Sequence, residues 1–181
     1  MPIVLSLWFL QSAAQNNLSS RRHHPVRPVE AELFMGVTTP IGSYHSSQKG
    51  AGALLGLEVR HNIGDTPWDA GLLIDAGMAN HKINDGEQKN RTISLALVGH
   101  YNFRQGGKVN PFVGLGVGFS NYHVVEDVIN EEENDGLVFI PRVGVEMWGT
   151  LRLTGSLHIS KRGYHYTSLS LGFVLGGKRR K

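Results

Sequence analysis

The sequence predicts an all-β chain, an eight-stranded antiparallel transmembrane up-and-down β-barrel. Three observations lead there. Apolar residues recur at every second position in eight separate segments. The faces opposite them carry glycine, serine, threonine and a few charges of both signs, unlike the Lys/Glu-rich exterior of a water-soluble sheet. The connections alternate in length: short after strands two, four and six, longer and more polar after one, three and five, with a short one after seven.

The fifth strand carries the pattern most plainly. In Asn110-Pro111-Phe112-Val113-Gly114-Leu115-Gly116-Val117-Gly118-Phe119-Ser120, the residues Val113, Leu115, Val117 and Phe119 form one apolar face. Gly114, Gly116, Gly118 and Ser120 leave the other almost without side chains. Glycine weakens a strand, so three in alternation point to a curved sheet whose inner face is crowded. They are expected to leave room for long side chains such as Arg142 and Arg152.

The other strands follow in order. Ala31, Leu33, Met35 and Val37 oppose Glu30, Glu32, Phe34 and Gly36 in the first. Ala53, Leu55, Leu57 and Val59 oppose Leu54, Gly56, Glu58 and Arg60 in the second. The third sets Trp68, Ala70, Leu72, Ile74 and Met78 against Asp69, Leu73 and Asp75, after a turn marked by Gly64, Asp65 and Pro67. The fourth sets Ile93, Leu95, Leu97, Tyr101 and Phe103 against Thr92, Ser94, Ala96, His100 and Asn102. Phe139, Val143, Val145 and Met147 oppose Arg142, Gly144, Glu146 and Trp148 in the sixth. Leu151, Leu153, Leu157 and Ile159 oppose Arg152, Thr154, Ser156 and His158 in the seventh, and Leu169, Leu171, Phe173 and Leu175 oppose Tyr166, Ser168, Ser170 and Gly172 in the eighth. The stretches 80–90 and 124–135 read as polar loops.

The apolar face decides the surroundings. In a soluble barrel it points inward, and in a membrane barrel it meets lipid while the lumen is polar. An Arg or Lys on the lipid face at midplane costs about 2–4 kcal/mol, and these faces are nearly free of charge. Aromatic residues gather near strand ends, Trp68, Tyr101, Phe103, Trp148 and Phe173 toward one end, Phe119, Tyr122, Tyr164 and Tyr166 toward the other, and those that point outward would form interfacial girdles. No apolar run reaches the length of a membrane-spanning helix.

Four segments follow. Residues 1–14 read as a secretory signal peptide, with the apolar run MPIVLSLWFL and small residues Ser12 and Ala14 at the cleavage site, although no Lys or Arg precedes the run. Residues 15–28 read as a flexible polar and basic tail, 29–175 as the barrel, and 176–181 as a basic C-terminal tail. The chain of 181 residues has no cysteine, which excludes disulfides and Cys-based zinc sites. Its net charge of +3 sits largely in the terminal basic runs. No base-reading module accompanies them, so no nucleic-acid partner is expected.

The eight two-faced strands, the Asn110–Phe119 strand and the ending Tyr166-Thr167-Ser168-Leu169-Ser170-Leu171-Gly172-Phe173 resemble the small outer-membrane β-barrel family of Gram-negative bacteria, the OmpA/OmpX type of the porin superfamily. The resemblance covers residues 29–175. It implies residence in the cell outer membrane, contact with outer-membrane lipid and lipopolysaccharide, and insertion by the barrel assembly machinery. That family ends in a terminal aromatic. Here Phe173 is followed by Val174-Leu175-Gly176-Gly177 and the basic tail, so the insertion signal would be internal, or less standard than the family's.

The lumenal face carries Glu30, Glu32, Glu58, Arg60, Asp69, Asp75, Arg142, Glu146 and Arg152, joined by His100 and His158. An eight-stranded barrel has room only for its own side chains, so these are expected to form a structural ion-pair network. His158-Ile159-Ser160 is similar to the His-x-Ser of outer-membrane lipid A deacylases, but no Asp or Glu follows Glu146 to serve as their acid. The residues therefore favour a non-enzymatic protein without metal or cofactor, acting in envelope structure, adhesion or partner contact through its loops. A lipid A-modifying hydrolase and a soluble lipocalin-like ligand-binding barrel are the alternatives.

Overall fold

The computed structural model describes residues 26–41, 51–83, 86–126, 130–160 and 165–176. Eight strands run in order: β1 Val29–Ile41, β2 Gly52–Asn62, β3 Trp68–Ile83, β4 Gly86–Asn102, β5 Val109–Glu126, β6 Asn130–Met147, β7 Leu151–Ser160 and β8 His165–Gly176. Each pairs antiparallel with its sequence neighbour, and β8 pairs with β1, so the sheet closes. Following paired residues once round leads from Glu146 through Arg152, Gly172, Phe34, Gly56, Asp75, Ser94 and Ser120 back to β6 at Gly136, a stagger of ten residues (146 − 136). That stagger tilts the strands and leaves a lumen only wide enough for side chains.

The two faces divide as the alternation requires. Leu97 is 71% exposed and Phe119 69%, while Ser94 and Ile140, on the inner face, are both 0% exposed. The exterior is apolar and the interior carries the charges, the inverse of a soluble barrel. With every central strand paired on both sides and the ring closed, the backbone polar groups of the spanning region are satisfied within the sheet, as lipid demands. At the turn end Trp68, Tyr101 and Phe103 form an edge-to-face row, with centroids 5.0 and 5.1 Å apart. Trp148 and Phe173 are also exposed there.

The lumen closes because bulky residues lie beside glycines on neighbouring strands. The Phe34 ring occupies the space a side chain at Gly56 would need, and the Phe112 ring does the same at Gly144. At Gly116 an added Cβ would sit 3.2 Å from both Ile140 Cβ and Val98 Cγ1. The β5 glycines thus make room for His100, Val98, Ile140 and Ala96 on β4 and β6. The nearest neighbours of these glycines are thus not Arg142 and Arg152, the long side chains expected there.

Several further expectations are corrected. The stretches 80–90 and 124–135 are largely strand, not loop: β3 pairs with β4 as far as Ile83 and Gly86, and β5 with β6 as far as Glu126 and Asn130. Trp148 is not lumenal. With φ of 54° it begins a tight turn with Gly149 (φ 62°), closed by Thr150 N donating to Met147 O at 3.1 Å. Two adjacent positive-φ residues suit the right-handed twist of a hairpin. Tyr122 is buried and Tyr166 half-buried against lumenal neighbours, so neither joins the outer girdle. Gly176 belongs to β8 rather than to the tail. Arg27 and Pro28 are tied to β2, their carbonyls accepting from Asn62 Nδ2 (2.7 Å) and Asn62 N (2.9 Å). The proposed signal peptide, Tyr164 and residues 177–181 lie outside the described residues.

Candidate functional site in the barrel lumen

The lumen holds two polar clusters. The larger lies toward the turn end and centres on Arg60 of β2. Its guanidinium donates from Nε to Glu30 Oε2 at 2.9 Å, from Nη1 to Glu32 Oε2 at 2.9 Å and from Nη2 to Glu146 Oε2 at 2.7 Å. Three carboxylates from β1 and β6 thus share one planar donor fork, a geometry that suits Arg and would not suit Lys. Glu58 stands 3.7 Å from Arg60 Nη1 and accepts a close hydrogen bond from Arg142 Nη1.

From Arg142 the network continues to the barrel mouth. Arg142 Nη1 donates to His100 Nε2 at 3.1 Å, so the imidazole proton is on Nδ1, which donates to Asp69 Oδ1 at 2.6 Å. Asp69 Oδ2 accepts from Asn102 Nδ2 at 2.7 Å, and Asn102 Oδ1 accepts from Asn110 Nδ2 at 3.0 Å. Asn110 Oδ1 then accepts the Arg104 backbone N–H at 3.0 Å, which fixes the β4–β5 turn. The ionic core is therefore wired to the loop that begins β5. A solvent-open recess at this end is lined by Glu30, Arg60, Asp69 and Glu146.

Arg152 is held differently. Its guanidinium carbon lies 3.7 Å from the Phe112 ring centroid, a cation–π contact. Its carboxylate neighbours are at 3.7 Å (Glu32 from Nε) and 3.9 Å (Glu146 from Nη1), beyond direct hydrogen bonding.

The second cluster lies toward the loop end. His158 stacks on Tyr166, with centroids 4.1 Å apart. Its Nε2 faces Ser156 Oγ at 3.3 Å and Asp75 Oδ2 at 3.9 Å, and Ser156 Oγ is 2.6 Å from Ser168 Oγ. Between the clusters on the β1–β4 and β6 side sits a dry group: Phe34, Leu54, Leu73, Ala96, Val98, Val138 and Ile140.

The nine expected lumenal residues are all buried or half-buried on the inner face. Seven of them, Glu30, Glu32, Glu58, Arg60, Arg142, Glu146 and Arg152, gather in the turn-end cluster. Asp69 enters it through His100 and not through an arginine. Asp75 does not join it: its neighbour is His158, because it lies beyond Leu73 on β3. Asn102 lies on the inner face as its parity on β4 predicts; Asn62 and Asn110, inward on β2 and β5, are not among the expected lumenal residues although the same parity marks them. The hydroxyl that contacts His158 is Ser156, two residues before it, and not Ser160. Among the residues whose side chains are described, no three His, Asp or Glu side chains are grouped to hold a metal ion.

No family model matches the sequence, and no curated protein matches it. Solved structures do. Neisserial surface protein A aligns at 12% identity with a TM-score of 0.58, covering 83% of this chain and 97% of that one. The N-terminal β-barrel domain of Pseudomonas aeruginosa OprF aligns at 17% identity with a TM-score of 0.51, covering 84% and 100%. Ail, the attachment invasion locus protein of Yersinia pestis, in complex with the heparin analogue sucrose octasulfate, aligns at 12% identity with a TM-score of 0.50, covering 81% and 99%. At such identities the likeness is one of fold: this chain has the fold of the small eight-stranded outer-membrane barrels.

Proposed function

We propose that this protein is an integral outer-membrane barrel that works by surface contact, on a scaffold braced by its lumenal ion network. Three features support residence in the membrane: the apolar exterior, the closed sheet and the aromatic row at the turn end.

One observation carries the contact role. Strands β3 to β6 outrun their neighbours at the loop end. Among the described residues β6 pairs with β7 only as far as Val138 with Ser160, yet β6 begins at Asn130. The last pair of β3 with β2 is Ala79 with Gly52, yet β3 runs on to Ile83. A four-stranded sheet thus continues past both neighbours, and β6 contributes Glu131, Glu132, Glu133 and Asp135 to it. Such a sheet displays a fixed surface at low entropic cost. The excess of acidic residues that β6 brings to this extension calls for a basic partner, unlike the sulfated sugar bound by the Yersinia protein, and complementary charge would speed and orient that encounter.

The reading is of a binding protein and not an enzyme. In a nucleophilic triad the imidazole uses one nitrogen for the hydroxyl and the other for the acid. His158 turns the same nitrogen, Nε2, toward both Ser156 and Asp75. The arrangement therefore supports a packing role for the pair.

The test uses full-length protein in lipid nanodiscs and a defined lysine-rich peptide. Wild type should bind with an affinity that falls as salt rises, and the Glu131→Gln/Glu132→Gln/Glu133→Gln variant should lose most of that binding. Equal binding by the two proteins would remove the acidic sheet from the account.

A further inference from the structure

Buried polar atoms without a hydrogen-bond partner among the described residues occur on several strands, Glu32 Oε1, Glu58 Oε1 and Arg142 Nε among them, but β7 carries the longest run. The inward residues of β7 are, in order, Arg152, Thr154, Ser156 and His158. Arg152 Nε, Nη1 and Nη2, Thr154 Oγ1 and His158 Nδ1 are buried with no hydrogen-bond partner among the described residues. Asp75 and Tyr166, beside His158, share Ser94 of β4 as a hydrogen-bonding neighbour. Arg152, Thr154 and His158 are at most 1% exposed. A buried polar atom without a partner costs about 1–3 kcal/mol, and native proteins meet that demand with internal water. The gaps between Arg152 and its carboxylates, 3.7 and 3.9 Å, are of the kind a bridging water spans.

The rest of the lumen restricts where that water can run. The wall built by β2, β3, β4 and β6 is apolar at mid-depth, with Leu54, Leu73, Val98 and Ile140 packed together. The β7–β8 side is instead a seam of hydroxyls: Thr154, Ser156, Ser168 and Ser170, with Ser170 Oγ donating to the Thr154 carbonyl at 3.4 Å. Its lower end meets Arg152 and the solvent-open recess that Glu30, Arg60 and Glu146 line. Its upper end meets His158 and Tyr166, whose hydroxyl reaches across to β3, 3.8 Å from where a side chain at Gly77 would begin.

We infer that the inward face of β7 binds a single file of water molecules, running from Arg152 past Thr154 and Ser156 to His158, and that this file lets protons cross the barrel. Each step breaks one O–H bond and forms another, so one proton enters at one end and one leaves at the other, with no oxidant or reductant involved.

The experiment uses the full chain refolded into liposomes that contain a pH-sensitive dye, with a potassium diffusion potential balancing the charge moved. Wild type should acidify the interior faster than protein-free liposomes. Thr154→Val, which removes the hydroxyl at nearly constant volume, should abolish that excess, and Ser156→Ala should reduce it. Val117→Leu, on the outer face, should retain it. Folding of each protein is checked by circular dichroism in the same liposomes, and Ser156→Ala serves if Thr154→Val does not fold. Wild-type acidification no faster than protein-free liposomes would overturn the inference, as would a folded Thr154→Val or Ser156→Ala variant that acidifies like wild type.

Discussion

Arg60 and Glu146 lie 86 positions apart in the chain and meet inside the barrel, Nη2 to Oε2 at 2.7 Å. The bond joins β2 to β6 across the lumen, bypassing the sheet. Because Arg60 also serves Glu30 and Glu32, its removal would leave three carboxylates facing one another in a buried space. Arg60→Met should therefore cost about 3–5 kcal/mol of stability, the usual loss when one partner of a buried ion pair is removed. Urea unfolding in lipid vesicles, followed by tryptophan fluorescence, measures it. Glu146→Gln keeps a hydrogen-bond acceptor and should cost clearly less.

Adjacent residues on β5 should respond oppositely to the same side chain. Gly116→Leu must displace Ile140 and Val98, which already lie 3.2 Å from an added Cβ, and should cost about 1–3 kcal/mol or prevent folding. Val117→Leu enlarges a side chain already 52% exposed on the outer face and should stay within about 0.5 kcal/mol of wild type. The same vesicle titration compares them.

Leu97→Arg should cost about 2–4 kcal/mol, since Leu97 stands on the lipid face in the spanning part of β4. A soluble protein would tolerate it. The comparison is with His61→Arg, exposed at the turn end of β2, which should be close to neutral in the same assay.

The β6–β7 turn is expected to be sensitive to Gly149. With φ of 62° it occupies the left-handed region, and nothing lies within 4 Å of an added Cβ. Gly149→Val should thus destabilise through backbone strain alone, by about 1–2 kcal/mol. Gly149→Asn should cost less, because Asn tolerates that region.

The spanning strands were legible in the sequence because each separates two media, and a period of two records the difference at every step. Asp69 and Asp75 show what was harder. Their inward parity was plain, but parity does not give depth, and only the stagger of the closed sheet places Asp75 beside His158 while Asp69 meets His100. The ends of β3 to β6 were misread as loops for a related reason. Beyond the membrane both faces of a strand meet water, so Asn80–Asn90 and Val124–Asp135 need no alternation and show little. Trp148 was placed in the lumen by continuing the parity of β6 through Met147, where the positive φ of the turn ends it.

The orientation of the two faces is tested most directly with single cysteines, which a cysteine-free chain accepts without background. An environment-sensitive fluorophore would be attached at position 97 in the refolded, lipid-embedded protein and exposed in turn to a quencher carried on lipid tails and to aqueous iodide. The lipid-borne quencher should extinguish it and iodide should not. If iodide quenched it while the lipid-borne quencher had no effect, and the chain stayed folded and monodisperse in water without detergent, the apolar face would not be a lipid face and the barrel would not span a membrane.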